Sequence, residues 1–192
     1  MPEVISELIV TLDMKARGER SPGYYGYMGP ELADYFKKMS AQPHRTLMGR
    51  KTYEVLNDLP EDAKDDGWRR TTEQPGYLFS RTLKKVEWPG LELVSEDMVE
   101  FVRKLKRGAG PELRILGSLS VIRQLAAAKL LDAVRLAVCP LVLPVSGIEP
   151  VFDGWEDTGL QLASHKLIDK RVLVLEYRPA GAPPGASDDA TA

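Results

Sequence analysis

The chain reads as an α/β protein: a mixed, mostly parallel sheet with helices on both faces and an antiparallel hairpin at its C-terminal end. Three observations lead there. Short Val-, Ile- and Leu-rich runs alternate with segments whose apolar residues recur every three or four positions. Several runs are apolar throughout, as strands covered on both faces are. The last two runs, 160–168 and 171–177, are separated only by Asp169-Lys170, the signature of a hairpin.

The elements follow in order. Ile5 to Leu12 is a β-branched strand. Residues 14–29, rich in glycine and tyrosine, predict a long loop, either a lid or a plain surface loop. Pro30 opens a helix whose inner stripe is Leu32, Tyr35, Phe36 and Met39. His44 to Met48 is the second strand, followed by Gly49-Arg50-Lys51-Thr52 and a short helix. Residues 57–74, charged and poor in apolar content, predict a surface excursion. Gly76 to Ser80 and Leu91 to Val94 are the third and fourth strands. Ser95 is the expected N-cap of a helix lined by Met98, Phe101, Val102 and Leu105. Leu113 to Leu116 is the fifth strand, and Gly117-Ser118 turns into a helix bearing Ile122, Leu125 and Ala126. Ala133 to Val145 is a long apolar run broken at Pro140.

Composition bounds the function. The 192 residues are 43% hydrophobic, enough for a single domain over 1–178, with 179–192 a disordered tail of Pro, Gly, Ala, Ser, Thr and Asp. The 26 Lys+Arg nearly balance the 28 Asp+Glu, so no nucleic-acid partner is expected. No apolar run reaches the roughly 18 residues that cross a bilayer, and Met1-Pro2-Glu3 lacks the basic start of a signal peptide. A single cysteine, Cys139, precludes an internal disulfide and reads as a core residue. These features predict a cytoplasmic soluble protein. With His44, His165 and one cysteine, no deaminase-type zinc site can be assembled, and no metal is expected.

Three strand ends carry phosphate-type chemistry. Gly49-Arg50-Lys51-Thr52 joins a glycine, a guanidinium and a hydroxyl at a helix start; the other reading is a junction with a solvated basic pair. Ser80-Arg81-Thr82 sets two hydroxyls beside a guanidinium, or is an ordinary polar strand exit. Gly117-Ser118-Leu119-Ser120 is a small turn opening a helix, with or without a ligand. Ligands of open α/β sheets sit beyond the carboxyl ends of the strands. Three such ends fit an extended ligand with several phosphates, a dinucleotide. Two arginines with hydroxyls favour NADP over NAD, although no Gly-x-Gly-x-x-Gly follows a strand.

The chain resembles the dihydrofolate-reductase-like superfamily, in the branch similar to the C-terminal reductase domain of the bifunctional riboflavin-biosynthesis deaminase–reductase. The matching pieces are Thr11-Leu12-Asp13, Gly49 to Glu54, Phe79-Ser80-Arg81-Thr82-Leu83, Leu116-Gly117-Ser118, Leu130-Leu131-Asp132, and Pro140 to Phe152 around Gly147. They run in order from about Ile5 to Tyr177. The resemblance implies an NADPH-binding homodimer that reduces a small molecule, a pterin or a ribosylated aminopyrimidine. It implies cofactor phosphate on Gly49, Arg50, Lys51 and Thr52, the adenosine 2′-phosphate on Ser80 and Arg81 beside Thr82, and pyrophosphate on Gly117, Ser118, Leu119 and Ser120. Asp13 would stand near the nicotinamide. Met14 replaces a glycine of the family pattern, Leu116-Gly117-Ser118 replaces Glu-Gly-Gly, and only Gly147 remains of a glycine pair.

Asp13 is the candidate catalytic residue, a proton relay or else a turn residue. Tyr24 and Tyr53 are the candidate substrate contacts, Tyr24 from the closing loop and Tyr53 from the pocket wall or else the core. The function expected is NADPH-dependent hydride transfer to a small heterocycle. The rival is a non-catalytic NADP-binding module.

Overall fold

The computed structural model describes residues 1–19 and 26–183. Tyr24, and most of the expected tail, lie outside the described residues. An eight-stranded sheet is ordered β5-β4-β3-β6-β1-β7-β10-β9. Its strands are β1 (Val4–Thr11), β3 (His44–Gly49), β4 (Gly76–Phe79), β5 (Leu91–Val94), β6 (Glu112–Leu116), β7 (Ala133–Cys139), β9 (Leu160–Ile168) and β10 (Val172–Pro179). Pairing is parallel from β5 through β7. It turns antiparallel at β10 and β9. Asp169 and Lys170, both at positive φ, make the tight turn between these last strands.

Strand alternation sorts side chains to two faces. On one face Val4, Leu8, Val10, Leu47, Leu113 and Ile115 meet Met98 and Val102 of α4 (Met98–Arg107) and Val121, Ile122 and Leu125 of α5 (Leu119–Ala127). The opposite face is covered in two patches. Leu32 of α1 (Pro30–Ala41) packs on Ala137, Cys139, Val172 and Val174. Tyr53 of α2 (Arg50–Asn57) packs with Met48, Leu78, Trp88 and Leu91. Burial raises the pKa of the Cys139 thiol, which suits a core residue.

Between those patches the sheet carries charge. Arg114, 3% exposed, bonds to Glu112, to the Met39 carbonyl (2.6 Å) and to Gln42 (2.9 Å). Arg135 reaches Glu176 (2.8 Å) and Glu7 (2.5 Å). The Arg114 bonds tie the end of α1 to the centre of the sheet, and the Arg135 pairs join β7 to β1 and β10.

Four details differ from the sequence reading. Within 14–29, Lys15–Gly18 forms β2, which pairs antiparallel with β8 (Gly147–Pro150) as a separate two-stranded ribbon. Each strand is too short for an alternation signal. Residues 57–74 run over the surface but include α3 (Asp66–Glu73), started by Asp65, whose carboxylate accepts from the Trp68 N–H at 2.9 Å. The cap of α4 is Asp97, which accepts from the Glu100 N–H at 3.0 Å, and not Ser95. Pro179 belongs to β10, and the Ala180 N–H donates to the Gly159 carbonyl at 2.7 Å.

Candidate functional site

Strands β4, β3, β6, β1 and β7 are neighbours and parallel, so their carboxyl ends share one edge. Along that edge stand, in order, Ser80–Thr82, Gly49–Thr52, Gly117–Ser120, Thr11–Asp13 and the segment after Cys139. The chain leaves β3 through α2 and α3 toward β4, and leaves the neighbouring β6 through α5 toward β7. The connections therefore part between β3 and β6, the kind of crevice where open α/β sheets hold ligands.

Two helix starts at this edge, those of α2 and α5, are unlike the rest. Asp65 caps α3 and Asp97 caps α4. Asp169, from the distant hairpin turn, accepts from the N–H groups of Glu31 and Leu32 at 3.1 and 3.0 Å and so caps α1. Gly29 makes room for it, since a Cβ there would lie 2.4 Å from the Asp169 carboxyl. By contrast α2 and α5 have no side-chain cap and no acid in the first turn. Their positive dipole ends face the edge without a side-chain cap, although the Val121 N–H of α5 already donates to the Ser118 carbonyl at 2.8 Å.

A buried pin holds these two starts side by side. The Gly49 N–H donates to Ser118 Oγ at 2.8 Å. The Ser118 N–H and hydroxyl both reach Thr52 Oγ1 at 2.9 Å. Ser118 sits at φ 43 and Gly117 at φ 61, where a Cβ would press on the Thr52 methyl at 3.1 Å. A Cβ at Gly49 would crowd Val121 at 3.3 Å, so its small size serves packing of α5 on β3. Gly49, Thr52 and Ser118 are thus committed to one another, while Leu119 and Ser120 present the open turn of α5.

Arg50 stays at the edge. Its guanidinium donates to Thr82 Oγ1 at 3.2 Å, and Ser80 Oγ accepts from the N–H groups of Thr82 and Leu83 at 3.2 and 3.1 Å. Arg81 is beside them, 79% exposed and 4.0 Å from Asp97. Lys51 is drawn the other way, onto Glu149 of the ribbon, which Arg17 also grips at 3.2 Å. Burial pushes the Glu149 pKa up, but the hydrogen bonds from Arg17 and Lys51 outweigh it and leave the net shift downward.

Asp13 lies at the β1 end, where both carboxylate oxygens are 3.2 Å from the Leu143 N–H. A side-chain hydrogen bond with Thr11 is the largest cause that lowers its pKa. Tyr53 is 5% exposed, its ring against Trp88 and its hydroxyl accepting from the Glu87 N–H at 3.1 Å. That is a core position, which corrects the pocket-wall expectation. His44 is also structural, bonded to the Gln42 carbonyl at 2.7 Å. Sequence reasoning missed Glu149 and Arg17, because the ribbon that presents them has no local signature.

The fold and its strand-end edge define an α/β domain with a mostly parallel sheet and a ligand-type crevice at the carboxyl ends of its strands. Residues 2–174 match the RibD C-terminal domain, and the chain belongs to that family. A Bacillus subtilis (strain 168) relative, the uncharacterized protein YyaP, is 27% identical over 180 residues, covering 91% of this chain and 93% of that one. Among solved structures, a protein provisionally assigned to riboflavin biosynthesis from Shewanella sp. PV-4 superposes with a TM-score of 0.73 at 17% identity. That match covers 93% of this chain and 99% of the other. The diaminohydroxyphosphoribosylaminopyrimidine deaminase/5-amino-6-(5-phosphoribosylamino)uracil reductase of Thermotoga maritima gives 0.65 at 16% identity, over 93% of this chain and 57% of its own. Family membership supports a reductase-type function. Among the described residues no helix is long and apolar enough to cross a membrane.

Proposed function

We propose that this chain is an NADPH-dependent reductase acting on a small heterocycle of the pterin or ribosylated aminopyrimidine type. The observation that carries the reading is the contrast between capped and uncapped helices. Carboxylates close the starts of α1, α3 and α4, whereas α2 and α5 start on the strand-end edge without a side-chain cap. Such a pair of open starts suits the two phosphates of a dinucleotide bridge. Ser80, Arg81, Thr82 and Arg50, at the β4 end, supply the donors for a further 2′-phosphate.

When bound, NADPH would supply a hydride to a C=N or C=O carbon, with the one proton needed by the nitrogen or oxygen drawn from solvent. The chain's residues do the rest. Thr52 and Ser118 keep the two helix starts in register. Arg50 and Arg81 anchor one end of the cofactor. Asp13, ionised and tied to the 143 backbone, orients a substrate N–H or O–H as an acceptor.

The test is a titration of the purified protein with NADPH and NADH, read by tryptophan fluorescence, for the parent and Arg81→Ala. Expected is a clear preference for NADPH that Arg81→Ala weakens several-fold while leaving NADH nearly unchanged. Equal loss for both cofactors removes the 2′-phosphate assignment. No binding of either cofactor removes the reductase reading.

A further inference from the structure

The β2–β8 ribbon brings Arg17 and Glu149 against Lys51 of α2, at the strand-end edge. It is built on the Asp13 region: the Lys15 N–H donates to Thr11 Oγ1 at 2.9 Å, and the Val151 N–H to the Met14 carbonyl at 3.0 Å. The Leu143 N–H meets Asp13, the Leu143 carbonyl takes the Gly147 N–H at 2.9 Å, and Glu149 follows two residues on. Gly147 is required there, since a Cβ would lie 2.3 Å from the Leu143 carbonyl oxygen. From this base the Glu149 carboxylate reaches Arg17 on one side and Lys51, in the first turn of α2, on the other.

Two features mark Glu149 as more than a surface partner. Its side chain is 28% exposed although both its cations are more open, at 41% and 74%. Its backbone sits at φ 59, in the left-handed region that a non-glycine residue enters at a cost. The fold keeps that strained residue where its carboxylate lies between an arginine and a lysine. An arginine–lysine pair beside a ligand crevice is the usual receptor for a phosphate. Here the chain itself supplies the anion.

We infer that Glu149 takes the place of a substrate anion between Arg17 and Lys51, so that this site admits a substrate carrying no phosphate at its ribbon end. The inference rests on the reductase reading above and narrows its substrate class: an unphosphorylated heterocycle or nucleoside-like molecule. A phosphorylated one would set two anions on the same pair of cations.

The test is calorimetric titration of the full chain with ribose 5-phosphate and with ribose. Parent protein is compared with Glu149→Gly, which also suits the left-handed backbone, and with Glu149→Gln, which keeps the side-chain length. The parent is expected to favour ribose 5-phosphate over ribose less than about threefold. Both variants are expected to bind ribose 5-phosphate at least about tenfold more tightly than the parent, or about 1.4 kcal/mol. Adding Arg17→Ala should abolish the gain. A parent that prefers ribose 5-phosphate tenfold, or folded variants that gain nothing, overturns the inference. NADPH titration of the same samples separates the two readings: NADPH binding without the phosphate gain overturns this inference alone, whereas loss of NADPH binding in the parent overturns the reading beneath it.

Discussion

The pin between α2 and α5 makes the sharpest stability prediction. Ser118→Ala removes the acceptor that the buried Gly49 N–H meets at 2.8 Å. An orphaned buried donor costs about 1–3 kcal/mol. Thr52→Val preserves shape but strips the acceptor from both the Ser118 N–H and its hydroxyl, 2.9 Å away in each case. The same range of about 1–3 kcal/mol applies. The two hydroxyls share a bond, so the double variant should cost less than the sum of the singles, by about 1 kcal/mol. Urea unfolding followed by tryptophan emission, at constant m, reads all three. For a chain of this size each kcal/mol lowers Tm by roughly 2–4 °C.

The same variants separate two roles for these hydroxyls. As pin residues, both should lose stability while NADPH affinity falls less than in Arg81→Ala. As direct phosphate ligands, they would leave the unfolding midpoint near that of the parent and lose NADPH affinity as strongly as Arg81→Ala does. That second pattern, or strict additivity of the double variant, would refute the pin.

Two further predictions concern charge. Arg114→Met leaves the Met39 carbonyl and Glu112, whose side chain is 25% exposed, without their shared cation; losing these charged hydrogen bonds costs about 1–3 kcal/mol, and a loss below about 1 kcal/mol in urea would contradict it. For Glu149, whose pKa is lowered on folding by Arg17 and Lys51 against the effect of burial, the stabilisation is complete above the ordinary glutamate value of about 4.3 and is lost as pH falls through the lower folded value. The Tm gap between parent and Glu149→Gln should therefore narrow on acidification, and a gap constant from neutral to strongly acid pH would be the wrong result.

Much of the fold is legible where its cause is local. The apolar run that begins at Ile5 and the helix stripe of Met98, Phe101, Val102 and Leu105 are local signals, and most of both lies in the core. The loops at Gly49, Ser80 and Gly117 are readable singly because each combines small or hydroxyl residues with a strand end. What period cannot reveal is which groups they meet. Thr52 and Ser118 are 66 residues apart, Lys51 and Glu149 98, and the cap of α1 comes from 137 residues away. Asp169 accordingly reads as a turn residue, which it is, and not as the cap it also provides. Lys51 reads as a partner of Arg50 although the helix turns it toward the ribbon.

That division has a physical consequence for the site. Capping by a carboxylate is a common way to finish a helix start, and this chain uses it at α1, α3 and α4. At α2 and α5 it uses hydroxyls instead, and directs them at each other, so these two dipole ends carry no carboxylate cap. The carboxylate that the ribbon brings toward α2, that of Glu149, pairs with Lys51 at the first turn, while Arg50 faces Thr82 at 3.2 Å and Glu54 at 3.7 Å. Arg81 likewise stands 4.0 Å from Asp97 and 79% exposed. Such exposed pairs are weak, so Arg50 and Arg81 stay available to an anionic cofactor, whereas the partly buried Glu149 holds Lys51 and Arg17. A binding site that selected anions at both ends would have no use for Glu149 in a strained conformation.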